Sequence, residues 1–334
     1  MARRQDEMVP EAGFRSYYGQ PVIKPPIWHE PHMPAYLYLG GLSGAASVLA
    51  ATAHLSGHER LGAASRMAAF VGASAGSVFL VTELGRPERF LNMLRLLKFT
   101  SPMSVGSWTL AAHGGLTAIA AAAAVTPLLP APMVSRILPG CLGGRVLPFI
   151  GDASAMASAV TGPIMATYTA VLLADTAVPA WHEAYRELPF LFAGSALASA
   201  GAVGMLSTPR AEAAPARASA ALGAVMETAA GIVMESRLGL EGEPYRRGKA
   251  GLLMKASRVL TLGGGLLAPI AGRSRALTAL SGLAITAGAL CTRFGLLEAG
   301  RTSAADPRYT VVPQRERAEA RRLTVVPDPA APPP

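Results

Sequence analysis

About eight apolar runs, each long enough to cross a bilayer, fill most of this chain and leave it one class of fold. They cover roughly residues 33–55, 61–83, 104–125, 146–175, 186–206, 212–236, 250–271 and 274–297. An α-helix rises 1.5 Å per residue, so about 20 apolar residues cross the hydrocarbon layer. No water is available there to satisfy backbone groups, and a helix satisfies its own. The runs predict an all-α, polytopic membrane helix bundle of about eight transmembrane helices. They divide the chain into an N-terminal tail at 1–32, a transmembrane domain at 33–298 and a C-terminal tail at 299–334.

Composition supports this reading. Only 15% of the 334 residues are charged, against about 25% in soluble domains. The 35 glycines and 27 prolines suit spans whose backbones pack closely. The net charge of +9 does not imply a nucleic-acid partner, because the basic residues fall in connectors and tails and form no compact face. Two cysteines, Cys141 and Cys291, and no CxxC exclude a cysteine-ligated iron–sulfur cluster or zinc finger. Residues 1–32 are polar and Pro-rich and show no signal-peptide core.

Two spans are less apolar. The sixth carries Arg217, Glu227 and Glu235, and the seventh carries Lys255 and Arg258. These predict charged faces packed inside the bundle or at its ends. Gly162-Pro163 predicts a kink or broken turn in the fourth span. With eight spans both termini share one side, and most basic residues fall on it. The positive-inside rule makes that side cytoplasmic in a cell membrane. The end of the C-terminal tail, Pro-Asp-Pro-Ala-Ala-Pro-Pro-Pro, has a disordered composition. The segment from Asp306 to Arg317 is a candidate docking element for a partner.

Three segments of unusual chemistry meet at the cytoplasmic side: 24–34, 83–108 and 175–183. They hold the only tryptophans, Trp28, Trp108 and Trp181. An aromatic belt and the mouth of a lipid-accessible pocket both fit this placement.

These segments also carry a resemblance. Trp28 followed by Tyr36-Leu-Tyr-Leu-Gly-Gly-Leu-Ser-Gly44 resembles the first helix of the NrfD/polysulfide-reductase membrane-subunit family. So does Leu84-Gly-Arg-Pro87 with Arg89-Phe90 and Asn92-Met93, followed by Ser101-Pro-Met-Ser104 and Gly106-Ser-Trp108. A third block runs from Tyr168 to Asp175, through Pro179-Ala-Trp181 and Leu188-Pro-Phe190, to Phe192-Ala-Gly-Ser-Ala-Leu197. The blocks span about residues 28–206. The Leu-Gly-Arg-Pro and Ser-Pro-Met-Ser pair is the most specific part.

The resemblance implies a membrane anchor in a complex with an iron–sulfur ferredoxin-like subunit and a molybdopterin-type catalytic subunit. It implies a bound quinone, menaquinone or ubiquinone, near the face that meets the iron–sulfur protein. It implies no haem or iron–sulfur cluster in this chain. The chain is then not catalytic alone but part of a quinone-linked respiratory oxidoreductase.

A quinone site needs hydrogen-bond partners for two carbonyls, an apolar slot and a proton route. Ionisable groups near or inside a span are the functional candidates. Tyr168 matches the family's Tyr-Thr-Gly-like element, with Ala170 in place of the Gly. His29 and His32, with Glu30 between them and Tyr36 one turn on, stand at the entrance of the first span. Glu83 precedes Leu-Gly-Arg-Pro, where the family carries an acid; it either pairs with Arg86 or feeds protons. Asp175 ends the fourth span with the same two readings. His113, Asp152 and Glu227 form a candidate proton path across the bundle. His54 and His113 fit either interhelical hydrogen bonds or axial haem ligation. A secondary transporter or ion channel, and a purely structural tether, are the rival functions.

Overall fold

A computed structural model describes residues 21–130 and 146–324, with side chains as far as residue 320. Among the described residues there is no strand, and ten α-helices follow one another. They are α1 (His32–Leu55), α2 (Glu59–Glu83), α3 (Pro102–Val125), α4 (Leu147–Ala174) and α5 (Pro179–Glu183). Next come α6 (Leu188–Ser207), α7 (Ala214–Arg237), α8 (Gly248–Ala271), α9 (Arg275–Ala305) and α10 (Arg308–Thr324). Short 3₁₀ segments lie at Pro87–Leu94, Thr126–Leu128 and Leu240–Tyr245.

Each predicted run has become one long helix, shifted by a few residues at most ends. Seven of these helices are long and apolar enough to cross a membrane. The eighth, α8, has the length but carries Lys249, Lys255 and Arg258. Its buried stripe, Met254, Ser257, Thr261, Gly264 and Ala268, follows the helical period. Lys255 is exposed on the other face. Arg258 pairs with Glu235 of α7 at 2.7 Å, so the amphipathic pattern of these two spans is matched across one interface.

The bundle consists of two rings of four helices. In the first, α1 packs on α2 and α4, and α3 closes the ring between them. In the second, α6 packs on α7 and α9, and α8 closes that ring. Helix α1 also touches α6 and α9 and joins the rings. Consistent with that position, most of α1 is buried, whereas α2 and α3 leave most of their residues outside the core.

No break occurs at Gly162-Pro163. Helix α4 runs unbroken from Leu147 to Ala174 with Pro163 inside it. Helix α9 does not stop near residue 297 but continues to Ala305. What composition marks as a polar tail from residue 299 begins as the end of this helix and continues as α10. That helix packs on the chain itself: Arg308 binds Glu243 at 2.7 Å, Arg317 binds Glu183 at 2.8 Å, and Tyr309 is buried. The segment read as a docking element for a partner is therefore docked on α5 and on the 240–245 turn. The Pro-rich end, the first 20 residues and Cys141 lie outside the described residues.

Candidate functional site

The register of α1 against its neighbours sets the site. The Ser43 hydroxyl donates to the Ala69 carbonyl of α2 at 2.6 Å, and the Ser47 hydroxyl donates to the Ser158 carbonyl of α4 at 3.0 Å. Both neighbours run antiparallel to α1. Toward the N-terminal end of α1, this register brings Tyr36 level with Tyr168, and His32 level with Phe79 one turn farther out. The His32 ring meets Phe79 edge-on, with centroids 6.1 Å apart.

Glu83 is the last residue of α2, and its carboxylate lies largely out of solvent. It accepts a hydrogen bond from the main-chain N–H of His29 at 2.6 Å and lies 3.2 Å from the His29 Nδ1. Its other oxygen lies 3.8 Å from the His32 Nδ1. That nitrogen is buried and makes no hydrogen bond among the described residues. One carboxylate thus gathers both entrance histidines.

Tyr168 comes from α4. Its ring packs against Gly106 of α3, where any Cβ would strike the ring atoms. The Gly106-Ser-Trp108 element therefore makes room for this tyrosine. The Tyr168 hydroxyl is buried and unpartnered among the described residues. Twelve buried side-chain nitrogens and oxygens lack a partner among the described residues. Two of them, the Tyr168 hydroxyl and the His32 Nδ1, occur at this one end of the first ring.

The NrfD polysulphide reductase family matches the chain over residues 21–241. The chain belongs to the NrfD family. No curated protein matches it.

In this NrfD protein the matched region carries the first ring and the start of the second, but the site's outer wall depends on residues beyond it. Trp28 stacks on Trp181, with ring centroids 5.2 Å apart. Trp181 is 0% exposed and donates from its indole nitrogen to the Leu296 carbonyl of α9 at 2.7 Å. It fits there because Gly300 has no side chain: a Cβ would overlap the indole. Trp181 is thus a core residue and not part of an interfacial belt. Arg301 donates to the Trp28 carbonyl at 2.5 Å and to the Glu30 carboxylate at 3.0 Å, and Lys249 lies 3.6 Å from Glu30. Glu30 is therefore held by the second ring and is not gathered with Glu83. Nearby, the Tyr245 hydroxyl donates to the Ala180 carbonyl at 3.0 Å. Burial pushes that phenol well above its ordinary value, so it remains a donor.

Arg86 and Asp175 stand apart from this centre. Arg86 precedes the 3₁₀ segment and is exposed. Glu83 turns instead toward the strap carrying His29, whose backbone N–H would otherwise lack a partner. Asp175 caps the end of α4 and is exposed.

The candidate proton path falls into three separate groups. Asp152 accepts from Arg66 at 2.7 Å and lies 3.8 Å from the His54 Nδ1. His113 is fully buried, with Nε2 3.0 Å from the Ser43 hydroxyl and Nδ1 2.8 Å from the Thr161 hydroxyl. Both ring nitrogens are engaged, which makes His113 a tie between α1, α3 and α4. Glu227 belongs to the second ring and accepts from the Thr292 hydroxyl at 2.5 Å; its other oxygen is unpartnered. Among the described residues no hydrogen bond links the three groups.

One residue escaped sequence reading. Arg293 is 1% exposed, with its guanidinium carbon 3.8 Å from the Phe192 ring centroid and two of its nitrogens unpartnered. Arg293 and Glu227 lie within each other's electrostatic reach. With the last span expected to end near 297, an arginine at 293 lies within snorkelling distance of the interface. The continuation of α9 to Ala305 is what places it inside.

Proposed function

We propose that this NrfD protein is the membrane anchor and quinone-binding subunit of a multi-subunit respiratory oxidoreductase. The observation that carries the proposal is the pair of unpartnered buried polar atoms, the Tyr168 hydroxyl and the His32 Nδ1, at one end of the first ring. A quinone has two carbonyls that accept hydrogen bonds and a ring that favours apolar walls, so donors of this kind suit it. Met33, Tyr36 and Leu37 contribute buried apolar surface at the same level.

A bound menaquinone or ubiquinone would supply two-electron, two-proton redox chemistry. Tyr168 donates its hydroxyl to one carbonyl. His32 presents its Nδ1 as the second partner, with the Glu83 carboxylate 3.8 Å from it. Glu83 orients both histidines, and exposed His29 links the centre to solvent. The stacked Trp28 and Trp181 keep the strap over the site.

Electrons pass between this site and an iron–sulfur subunit seated on the same face, with a molybdopterin-type catalytic subunit beyond it. Clustered basic residues at this end support a cytoplasmic placement of both termini in the cell membrane.

The test uses the complex purified from its native membrane. Tyr168→Phe and His32→Ala should each lower quinone-linked turnover at least about tenfold, the scale for loss of a positioned donor or proton-transfer group. The iron–sulfur partner should still co-purify. Unchanged turnover in both variants would favour a structural tether, and flux through liposomes containing this protein alone would favour a transporter.

A further inference from the structure

The Gly85–Thr100 connector has a surface that the quinone site does not use. Arg86, Arg89, Arg95 and Lys98 are all exposed, and among the described residues no carboxylate lies within ion-pair distance of them. Several other cations on this face are tied down: Arg237 to Glu187, Arg301 to Glu30, Arg308 to Glu243 and Arg317 to Glu183. Glu88 is the connector's one acid.

Apolar side chains interleave with these cations. Leu91, Leu96, Leu97 and Phe99 are exposed, Leu96 at 71% and Phe99 at 82%. The arrangement is held in place by α3. The Ser104 hydroxyl donates to the Leu96 carbonyl and accepts from the Lys98 N–H, each at 3.0 Å. Ser101 caps the helix below by accepting from the Ser104 N–H. Between connector and helix lies a cleft of about 260 Å³, with Met93, Leu96 and Met103 on its apolar side and Lys98 at its polar side.

The apolar side chains continue the outward flank of α2 and α3, where Val71, Val78, Met103 and Trp108 are also exposed. These two helices face away from the second ring, apart from a contact of α2 with α6. A protein partner seated on the end of the bundle would leave that flank uncovered, whereas the bilayer covers it. Cations placed where such a flank meets water are positioned for lipid headgroups.

We propose that the connector is a binding site for an anionic phospholipid. The headgroup phosphodiester sits among Arg86, Arg89, Arg95 and Lys98, and an acyl chain lies against Met93, Leu96 and Met103. Guanidinium and ammonium groups are the natural donors to a phosphodiester oxygen. The proposal stands apart from the quinone reading, because lipid occupancy is measured without turnover.

The full-length protein is equilibrated with mixed micelles of phosphatidylcholine and a minor fraction of phosphatidylglycerol, then washed, and the retained lipids are quantified by mass spectrometry. Phosphatidylglycerol should be enriched at least about threefold over its bulk ratio. The R86Q/R89Q/R95Q/K98Q variant should return to the bulk ratio, and R273Q/R275Q, altered at the opposite end, should keep the enrichment. Wild-type protein at the bulk ratio, or enrichment persisting in the quadruple variant, overturns the proposal. Loss of the iron–sulfur subunit from the quadruple variant, with no lipid enrichment in wild type, would make this a protein-docking surface and also overturn it. If the quadruple variant does not fold, brominated lipids decide the matter in nanodiscs, with W108F subtracting the other tryptophans. Stronger quenching of Trp108 by brominated phosphatidylglycerol than by brominated phosphatidylcholine at equal mole fraction supports the site; equal quenching overturns it.

Discussion

The Glu83 carboxylate accepts the main-chain N–H of His29 at 2.6 Å, across 54 residues of chain. The bond fastens the strap before α1 to the last residue of α2. It also places this carboxylate beside both entrance histidines. A hydrogen bond to a charged group contributes about 1.5–3 kcal/mol, and less where it is exposed, as this one is.

Glu83 variants should therefore separate strap docking from charge. Glu83→Gln keeps an acceptor for the His29 N–H and should fold near wild-type stability, yet lower quinone-linked turnover at least about tenfold. Glu83→Ala should lose both, with a lower unfolding temperature. Thermal unfolding and turnover on the same preparations check this, and equal turnover for Gln and wild type would remove the carboxylate from the proton chemistry.

Gly106 should tolerate no side chain. A Cβ there overlaps the Tyr168 ring, so Gly106→Ala must displace the tyrosine or separate α3 from α4. Overpacking of this kind costs about 1–3 kcal/mol. Turnover should fall with it, as in Tyr168→Phe. A Gly106→Ala protein with wild-type turnover and unfolding temperature would show that Tyr168 can relocate freely.

Trp181 should be a stability residue whose effect reaches the strap. Trp181→Phe removes the indole hydrogen bond to Leu296 and leaves a gap in the core, so it should lower the unfolding temperature. Gly300→Ala should act in the same direction by expelling the indole. In both variants, protease cleavage near residues 21–31 should accelerate, because Trp28 loses its stacking partner. Cleavage at the wild-type rate would contradict this role.

Arg293 and Glu227 should be coupled. Glu227→Gln leaves buried Arg293 with less compensation, and Arg293→Met leaves buried Glu227 the same way. No ion-pair contact joins them among the described residues, so each single loss should stay below the about 3–5 kcal/mol of a broken buried ion pair. The double variant should be less destabilised than the two single effects added together. Additive effects in a double-mutant cycle would show that the two charges act independently.

Much of this was legible in the sequence, and the reasons are local. Each long helix follows from an apolar run of bilayer length, whose backbone groups a helix satisfies within the run itself. Ser101-Pro-Met-Ser104 announces a helix start because Ser caps and Pro fits the first turn, and α3 begins there at Pro102. Tyr168 and Glu83 could be named because they match family motifs, and His32 because it stands at the entrance of the first span.

The rest depended on partners distant in the chain. Glu83 had two readings, with nearby Arg86 the obvious partner, and the fold chose His29 and His32. Glu30 belonged by position to the entrance and was taken by Arg301 and Lys249. Trp181 had the composition of a belt residue and is core because Gly300 opens a slot for it. Arg293 is inside because α9 continues past residue 297 to Ala305. Sequence by itself determined where the long apolar helices lie, where they start and which residues can bear protons, since hydrophobic length and capping act within a few turns. Only the tertiary structure decided which charges are paired, because a pairing depends on helix register and on how closely small residues let two backbones approach.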